Sequence, residues 1–403
     1  MKLPGMLLLA VAAITFAAPP AWAQDGDLSA RRDALFRQMF RAPADLDLML
    51  AYARVSVDLR DYEQVVATLE RALDIQPDAV EARLDLAVAY YALGAYDLAQ
   101  YHLGVVATAP DLPPDLAAEV ARYNALAEQR AGDSSVSGFV EAGVAGALVE
   151  EETGFEFGFG LVWRVQRDGA QDSRWITELN GRMLRFPDDD DLSFGALSLR
   201  TGPEFSVDGT AYGLRLRPYL AAATSVDFDL DQRSTLGAGM LVGNSYSDSV
   251  SGFAVLEGGA LWREDPDAEG GYGLLQAGLN IYPAPDTLLR LSLRGRRDDT
   301  DADAANVQSY GARLDLRHKF KPQFSRSDRK WQVSAYVLAD RQDYYSASPD
   351  RSDDLFGYGA AIRAYVVGDT YLELRGDRLE RDTDIDGVAT ERELIGLLLG
   401  REF

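Results

Sequence analysis

Apolar residues recur along this chain with two different periods, and the change between them divides it. From about Leu28 to Arg130 they follow the three-to-four spacing of amphipathic helices. Beyond Ser135 that spacing gives way to alternation, broken by clusters of Asp, Gly, Pro and Ser. The alternation is plainest at the end, where Ile395, Leu397, Leu399, Arg401 and Phe403 share one face while Gly396, Gly400 and Glu402 interrupt the other. Strands are predicted to start near Val136, Gly154, Ser173, Ser193, Ala211, Gln232, Val250, Gly271, Asp286, Val307, Trp331, Leu355, Thr370 and Glu393. Each runs roughly 10 to 14 residues, the length a tilted strand needs to cross a bilayer.

Several of these strands sort charge from hydrocarbon. Leu289, Leu291 and Leu293 alternate with Arg290, Ser292, Arg294 and Arg296. Tyr310, Ala312, Leu314 and Leu316 alternate with Ser309, Arg313, Asp315 and Arg317, and Leu372 and Leu374 with Glu373, Arg375 and Asp377. Ile176 shares its face with Glu178, Asn180 and Arg182. An arginine facing lipid at the midplane costs about 2–4 kcal/mol, so these faces must line an interior and pair with carboxylates there. The candidate lumen-facing residues are Glu178, Arg182, Arg290, Arg294, Arg296, Arg313, Asp315, Glu373 and Arg375. The competing reading is a water-soluble β-sandwich with charged outer faces.

An even strand number puts both chain ends on one side. Turns after even strands are then tight: Asp208-Gly209, Ser247-Asp248-Ser249, Pro283-Ala284-Pro285 and Gly368-Asp369. Connections after odd strands are longer and acidic: Pro187 to Asp191, Asp227 to Asp231, Asp265 to Gly270, Asp299 to Asp303, Ser346 to Asp353 and Thr383 to Thr390. Trp163, Trp175 and Trp331 fall near the rim of the chain ends, as an aromatic girdle would.

The helical part repeats. Pro43, Pro77 and Pro110 punctuate it, Tyr62 recurs as Tyr96, Leu69 as Leu103, Ala53 as Ala87 and Val65 as Ala99. The segments Ala89 to Ala99 and Ala72 to Pro77 resemble the tetratricopeptide repeat, whose small residues let paired helices pack closely and whose proline ends the second helix. The first repeat departs by carrying Arg60 where the second has Gly94. Two full repeats, a preceding helix (Leu28 to Phe40) and a closing helix (Asp115 to Arg130) suit a capped solenoid. Such a solenoid offers a groove to a peptide or acts as a spacer. Tyr52, Tyr90 and Tyr91 are groove or packing candidates, and His102 reads as a packing or surface residue.

Composition narrows the chemistry. Lys2, the apolar run from Met6 to Ala18 and Ala21-Trp22-Ala23 read as a secretory signal, too short to span a membrane. The absence of cysteine excludes disulfides, thiolate metal sites and a Cys nucleophile. A net charge of −24 argues against nucleic acid. With only His102 and His318, no catalytic dyad emerges, and no enzyme or cofactor is expected.

Two charged stretches remain. Asp382, Asp384, Asp386 and Gly387 followed by Glu393 have calcium-loop spacing but no flanking helices, so a solvated acidic loop bridged to lipopolysaccharide is the preferred reading and no metal site is assigned. Lys319, Lys321, Arg326, Arg329 and Lys330 make a basic turn on the side of the chain ends, either a docking patch or a turn near lipid headgroups.

The expected organisation is a signal peptide (1–23), a periplasmic tetratricopeptide-like helical domain (24–132) and an outer-membrane barrel (133–403). The fold class is α+β multidomain: an N-terminal α-solenoid followed by a 14-stranded antiparallel transmembrane β-barrel. This architecture, with the opening strand Gly138-Phe-Val-Glu-Ala-Gly-Val144, resembles the Slam family, the surface lipoprotein assembly modifiers. The resemblance implies an outer-membrane translocon that delivers lipoproteins or related clients to the cell surface, with the repeats engaging client or partner. Its partners would include outer-membrane lipid and the barrel-insertion machinery, for which Phe403 is the candidate signal. The alternatives are a repeat-coupled porin for polysaccharide or small-solute export, and a passive diffusion channel.

Overall fold

The computed structural model describes residues 22–403 apart from 111, 132–133, 167–172, 189–192, 208–212, 228–231, 248, 266–267, 326, 328, 348–350 and 385–389. All but the last residues of the candidate signal segment, the Asp208-Gly209 turn and parts of the Pro187–Asp191 and Asp227–Asp231 connections lie outside that set. No described helix is long and apolar enough to cross a membrane.

Among the described residues six helices come first: α1 Trp22–Arg41, α2 Leu46–Asp58, α3 Tyr62–Ile75, α4 Val80–Ala92, α5 Tyr96–Ala107 and α6 Pro114–Ala131. The eight positions that repeat in the sequence are all buried: Ala53, Tyr62, Val65 and Leu69 in the first unit, Ala87, Tyr96, Ala99 and Leu103 in the second. The repeat is therefore a packing pattern, with alanines where helices approach closest and leucines filling the remainder. Asp45 and Asp61 cap α2 and α3 through the backbone N–H groups of Leu48 and Gln64. Tyr52 and Tyr91 are core residues. Tyr90 is half-buried, donates to Glu70 and stacks on His102.

The Arg60/Gly94 departure has a geometric account. Both residues are left-handed, Arg60 at φ 57° and Gly94 at φ 75°. Both close the same C-terminal motif, with Asp61 N–H bonded to Ser56 O and Ala95 N–H to Tyr90 O. Arg60 thus bears a strain that glycine avoids. Its guanidinium donates to Ser245 O of the barrel at 2.6 Å.

Asp85 on α4 is mostly buried, and burial pushes its carboxyl up to about 6; Arg54 opposes the shift while Glu119 and Glu81 add to it. The folded state keeps a proton that the unfolded chain releases from pH 3.8 upward, so stability falls as pH rises from there to about 6 and the penalty is complete above. Asp85→Asn should therefore raise the helical melting midpoint by several degrees at neutral pH and leave it unchanged below the carboxylate range. Far-ultraviolet circular dichroism reads both, and coincident melts at neutral pH would refute the assignment.

The strands are β1 Ser134–Ala147, β2 Glu152–Gln166, β3 Ser173–Arg185, β4 Phe194–Ser206, β5 Arg215–Asp227, β6 Arg233–Ser247 and β7 Val250–Arg263. They continue with β8 Gly270–Ala284, β9 Thr287–Thr300, β10 Val307–Phe320, β11 Trp331–Tyr344, β12 Arg351–Val367, β13 Thr370–Thr383 and β14 Thr390–Glu402. Each pairs antiparallel with its sequence neighbours, and β1 pairs with β14 to close the barrel. The closing seam ends on reciprocal Gly138–Phe403 backbone bonds of 2.8 and 3.0 Å.

The expected strand starts fall within two or three residues of those found, except at two places. β5 begins at Arg215 rather than Ala211, and β12 at Arg351 rather than Leu355. The expected Ser346–Asp353 connection is shorter because Arg351 and Asp353, two apart on one inner face, form a 2.7 Å ion pair inside the strand. The Asp299–Asp303 connection is likewise partly strand, followed by a short 3-10 turn, Asp303–Ala305. Gly368 makes its tight turn with φ 53°.

Register fixes the faces. Ile395, Leu397 and Leu399 pair with Gly146, Val144 and Ala142 on one side and with Gly376, Leu374 and Leu372 on the other. Leu291 and Leu314 oppose each other, as do Leu256 and Met240. The leucines, Ile395 and Val144 on this outward face are exposed to roughly half of their surface, forming the apolar belt that a membrane barrel turns toward lipid. Trp163 and Trp175 stand exposed on the same face at the rim of the chain ends, and Trp331 packs there against Phe320 and Phe324. Trp262, at the far end of β7, is exposed at the opposite rim. The barrel is of the outer-membrane type.

Candidate functional site

The inner face holds the polar chemistry, and it is built from ties that skip a strand. On β13, Tyr371 is fully buried and donates to Glu141 of β1 at 2.7 Å. Gly400 of β14 lies between them in register, and a Cβ there would come within 2.7 Å of the tyrosine ring. The same construction recurs where Tyr219 of β5 crosses Gly239 of β6 to Glu257 of β7, at 2.7 Å. It recurs again where Tyr336 of β11 crosses Gly359 of β12 to Asp377 of β13, also at 2.7 Å. The middle strand must present glycine, because any side chain would occupy the ring's place.

Arginines complete the network. Arg363 bonds Glu373 at 2.7 Å and Glu402 at 3.0 Å, reaches Glu141 at 3.7 Å and lies over the Tyr371 ring. Glu156 accepts from Arg182 at 2.7 Å and forms an ion pair with Arg375. Arg217 bonds Glu178 at 2.8 Å, and Arg174 and Arg215 share Glu204. Buried charges are stable only when paired and hydrogen-bonded in this way.

All nine residues picked out by alternation lie on this inner face, but not in one place. Glu178, Arg182, Glu373 and Arg375 belong to the network just described, on the walls of β1–β5 and β12–β14. Arg313 pairs with Asp315 at 2.9 Å, two residues along its own strand. Arg296 bonds Asp298 at 2.8 Å, and Arg290 donates to Asn280 at 2.7 Å. Arg294 has no carboxylate within ion-pairing distance among the described residues; Asp340 lies beyond Gly311, which is in register with both.

Alternation missed Glu141, Glu257, Asp298, Arg363 and the tyrosines. A signal existed for some: Glu141 and Glu257 are lone carboxylates in otherwise apolar strands beside glycines.

Two residues of the basic turn are engaged by the rim. Arg329 bonds Glu402 and reaches Asp369 at 3.2 Å, and Lys330 bonds Asp286 at 2.5 Å. Lys319 and Lys321 are exposed, and Arg326 lies outside the described residues. In the calcium-like loop Asp386 and Gly387 also lie outside them. Asp384 accepts from Ser352 N–H at 2.9 Å and Glu393 from Arg378 at 2.6 Å, so two of the motif's carboxylates serve strand ends. His318 shares a hydrogen bond with the Thr287 hydroxyl at 2.9 Å.

Residues 56–123 match the tetratricopeptide repeat family. No curated protein matches the chain. The structure is similar to the TPR2B domain of yeast Sti1 in its complex with pHsp70, at 22% identity, 27% of this chain, 89% of that one and a TM-score of 0.25. PcrH in complex with the chaperone binding region of PopD matches at 17% identity over 32% of this chain and 98% of that one, TM-score 0.25. A bacterial polysaccharide outer membrane secretin matches at 10% identity over 66% of this chain and 98% of that one, TM-score 0.35. The chain therefore joins tetratricopeptide repeats to a closed 14-strand barrel of the outer-membrane type.

Proposed function

We propose that this chain is an outer-membrane transport barrel that passes a client from the periplasm to the cell surface. The observation that carries the reading is the junction: α6 ends at Ala131 and β1 starts at Ser134, so a repeat domain is tied directly to one mouth of a barrel with a charged interior. Arg60 adds a contact from the first repeat to the end of β6 at that same mouth. Solenoid grooves hold extended peptides or helices. A repeat domain anchored there is placed to hand a client to the barrel from the periplasmic side.

The specific form proposed is that of the surface lipoprotein assembly modifiers, with a lipoprotein as client and no catalytic step. Lipid and lipopolysaccharide surround the apolar belt, and the barrel-insertion machinery places it there. Co-expression with a lipoprotein encoded beside this chain, followed by antibody staining of intact cells, tests this. Deleting the chain should abolish the surface signal; a signal unchanged by deletion ends the translocon reading.

One observation favours a second reading, a repeat-coupled porin exporting an anionic glycan or small solute. The wall of β9 and β10 carries inward arginines, Arg290, Arg294 and Arg317, with no ion-pair partner among the described residues. Loss of an exported acidic polysaccharide on deletion, with the lipoprotein signal intact, would select it.

A further inference from the structure

At the end of the barrel opposite the chain termini, a cavity of about 560 Å³ opens on the inner face. Five arginines line it, Arg233 and Arg263 from β6 and β7, Arg294 and Arg296 from β9, and Arg381 from β13. Two carboxylates line it with them, Asp265 and Asp298. Asp298 is almost fully buried and already shared by three of the guanidiniums: Arg296 at 2.8 Å, Arg263 at 4.0 Å and Arg233. Arg294 and Arg381 have no ion pair among the described residues, and Nη2 of Arg296 is buried without a hydrogen-bond partner. Positive charge is thus in excess here, in a chain whose net charge is −24.

Guanidinium groups crowded in a partly desolvated cavity repel one another unless a counter-anion joins them. Their planar forks match the two oxygens of a carboxylate or the oxygens of a phosphate. We propose that this cavity is a binding site for a soluble oxyanion, a carboxylate or a phosphate, with Arg294 as its principal donor and Arg381 and Arg296 beside it. The anion reaches it through water and not from the membrane, because every one of these arginines sits at an inward position while lipid headgroups meet the opposite face. Asp298 acts as the keystone that holds three arginines in place and leaves Arg294 and Arg381 for the ligand. The site stands whether or not the barrel delivers a protein client, so its readout and the surface-staining readout fail separately.

The full-length protein, folded in detergent at low ionic strength, is titrated calorimetrically with inorganic pyrophosphate and, separately, with citrate. Saturable binding of at least one is expected, and preference for pyrophosphate or citrate tells a phosphate-bearing ligand from a polycarboxylate. Arg294→Gln removes a charged donor that makes no ion pair among the described residues, so the fold should survive, as judged by heat-modifiable gel migration, while affinity drops about tenfold or more. Arg401→Gln, on the outer face at the other rim, should bind as the unaltered chain does. Absence of saturable binding of either anion up to roughly 10 mM would overturn the site. So would an equal loss in Arg401→Gln, which would mark the effect as general charge.

Discussion

Glu141→Ala is expected to cost the barrel about 3 kcal/mol, the scale of removing one partner from a buried ion pair. Glu141 is mostly buried, accepts from the Tyr371 hydroxyl and faces Arg363 and Arg375 at 3.7 and 4.0 Å. Its removal strands a buried hydroxyl and takes negative charge from between two guanidiniums. It also acts where the sheet closes, since Glu141 belongs to β1 and Tyr371 to β13, with β14 between them. Glu141→Gln keeps an acceptor for Tyr371 and should lose clearly less. The measurement is the urea midpoint for loss of heat-modifiable migration in lipid vesicles. If alanine and glutamine variants both unfold with the unaltered chain, the strand-skipping tie contributes nothing and the closing seam is held by its backbone ladder alone.

That tie also marks where reading the sequence stops. The faces of β9, β10 and β13 were legible because water and lipid demand opposite side chains, and the two-residue period of a strand writes that demand into adjacent letters. The helical repeat was legible for a similar reason: Ala53 and Ala87, or Leu69 and Leu103, meet the same packing constraint one unit apart. Tyr371, Gly400 and Glu141 share no local pattern. They meet only once fourteen registers are fixed, and a slip of one residue would turn every side chain to the other face. The early start of β12 failed for a subtler reason. Arg351 and Asp353 are polar enough to read as loop, yet inside a barrel two such residues spaced by two neutralise each other on the inner wall. The cavity of five arginines comes from strands β6, β7, β9 and β13, and no window of sequence contains it. Arg60 is the reverse case: its oddness was visible, and its cause, a left-handed turn shared with Gly94, was not.

Leu397→Arg separates the membrane barrel from any water-soluble alternative. Leu397 lies midway along β14, outward, between Val144 and Leu374, and all three are exposed to about half of their surface. On a protein surface in water, exchanging such a leucine for arginine changes stability by no more than about 0.5 kcal/mol. Facing acyl chains near the midplane, the same exchange costs about 2–4 kcal/mol, because the guanidinium must be desolvated or the bilayer must thin around it. The expected result is a urea midpoint far below that of the unaltered chain in lipid vesicles. Arg401→Leu, at the rim on the same face, should be nearly neutral, since headgroups and water already reach that depth. Equal midpoints for Leu397→Arg and the unaltered chain, or recovery of the unaltered chain folded without detergent, would mean that the leucine face does not meet lipid. The inner arginines would then need a different explanation.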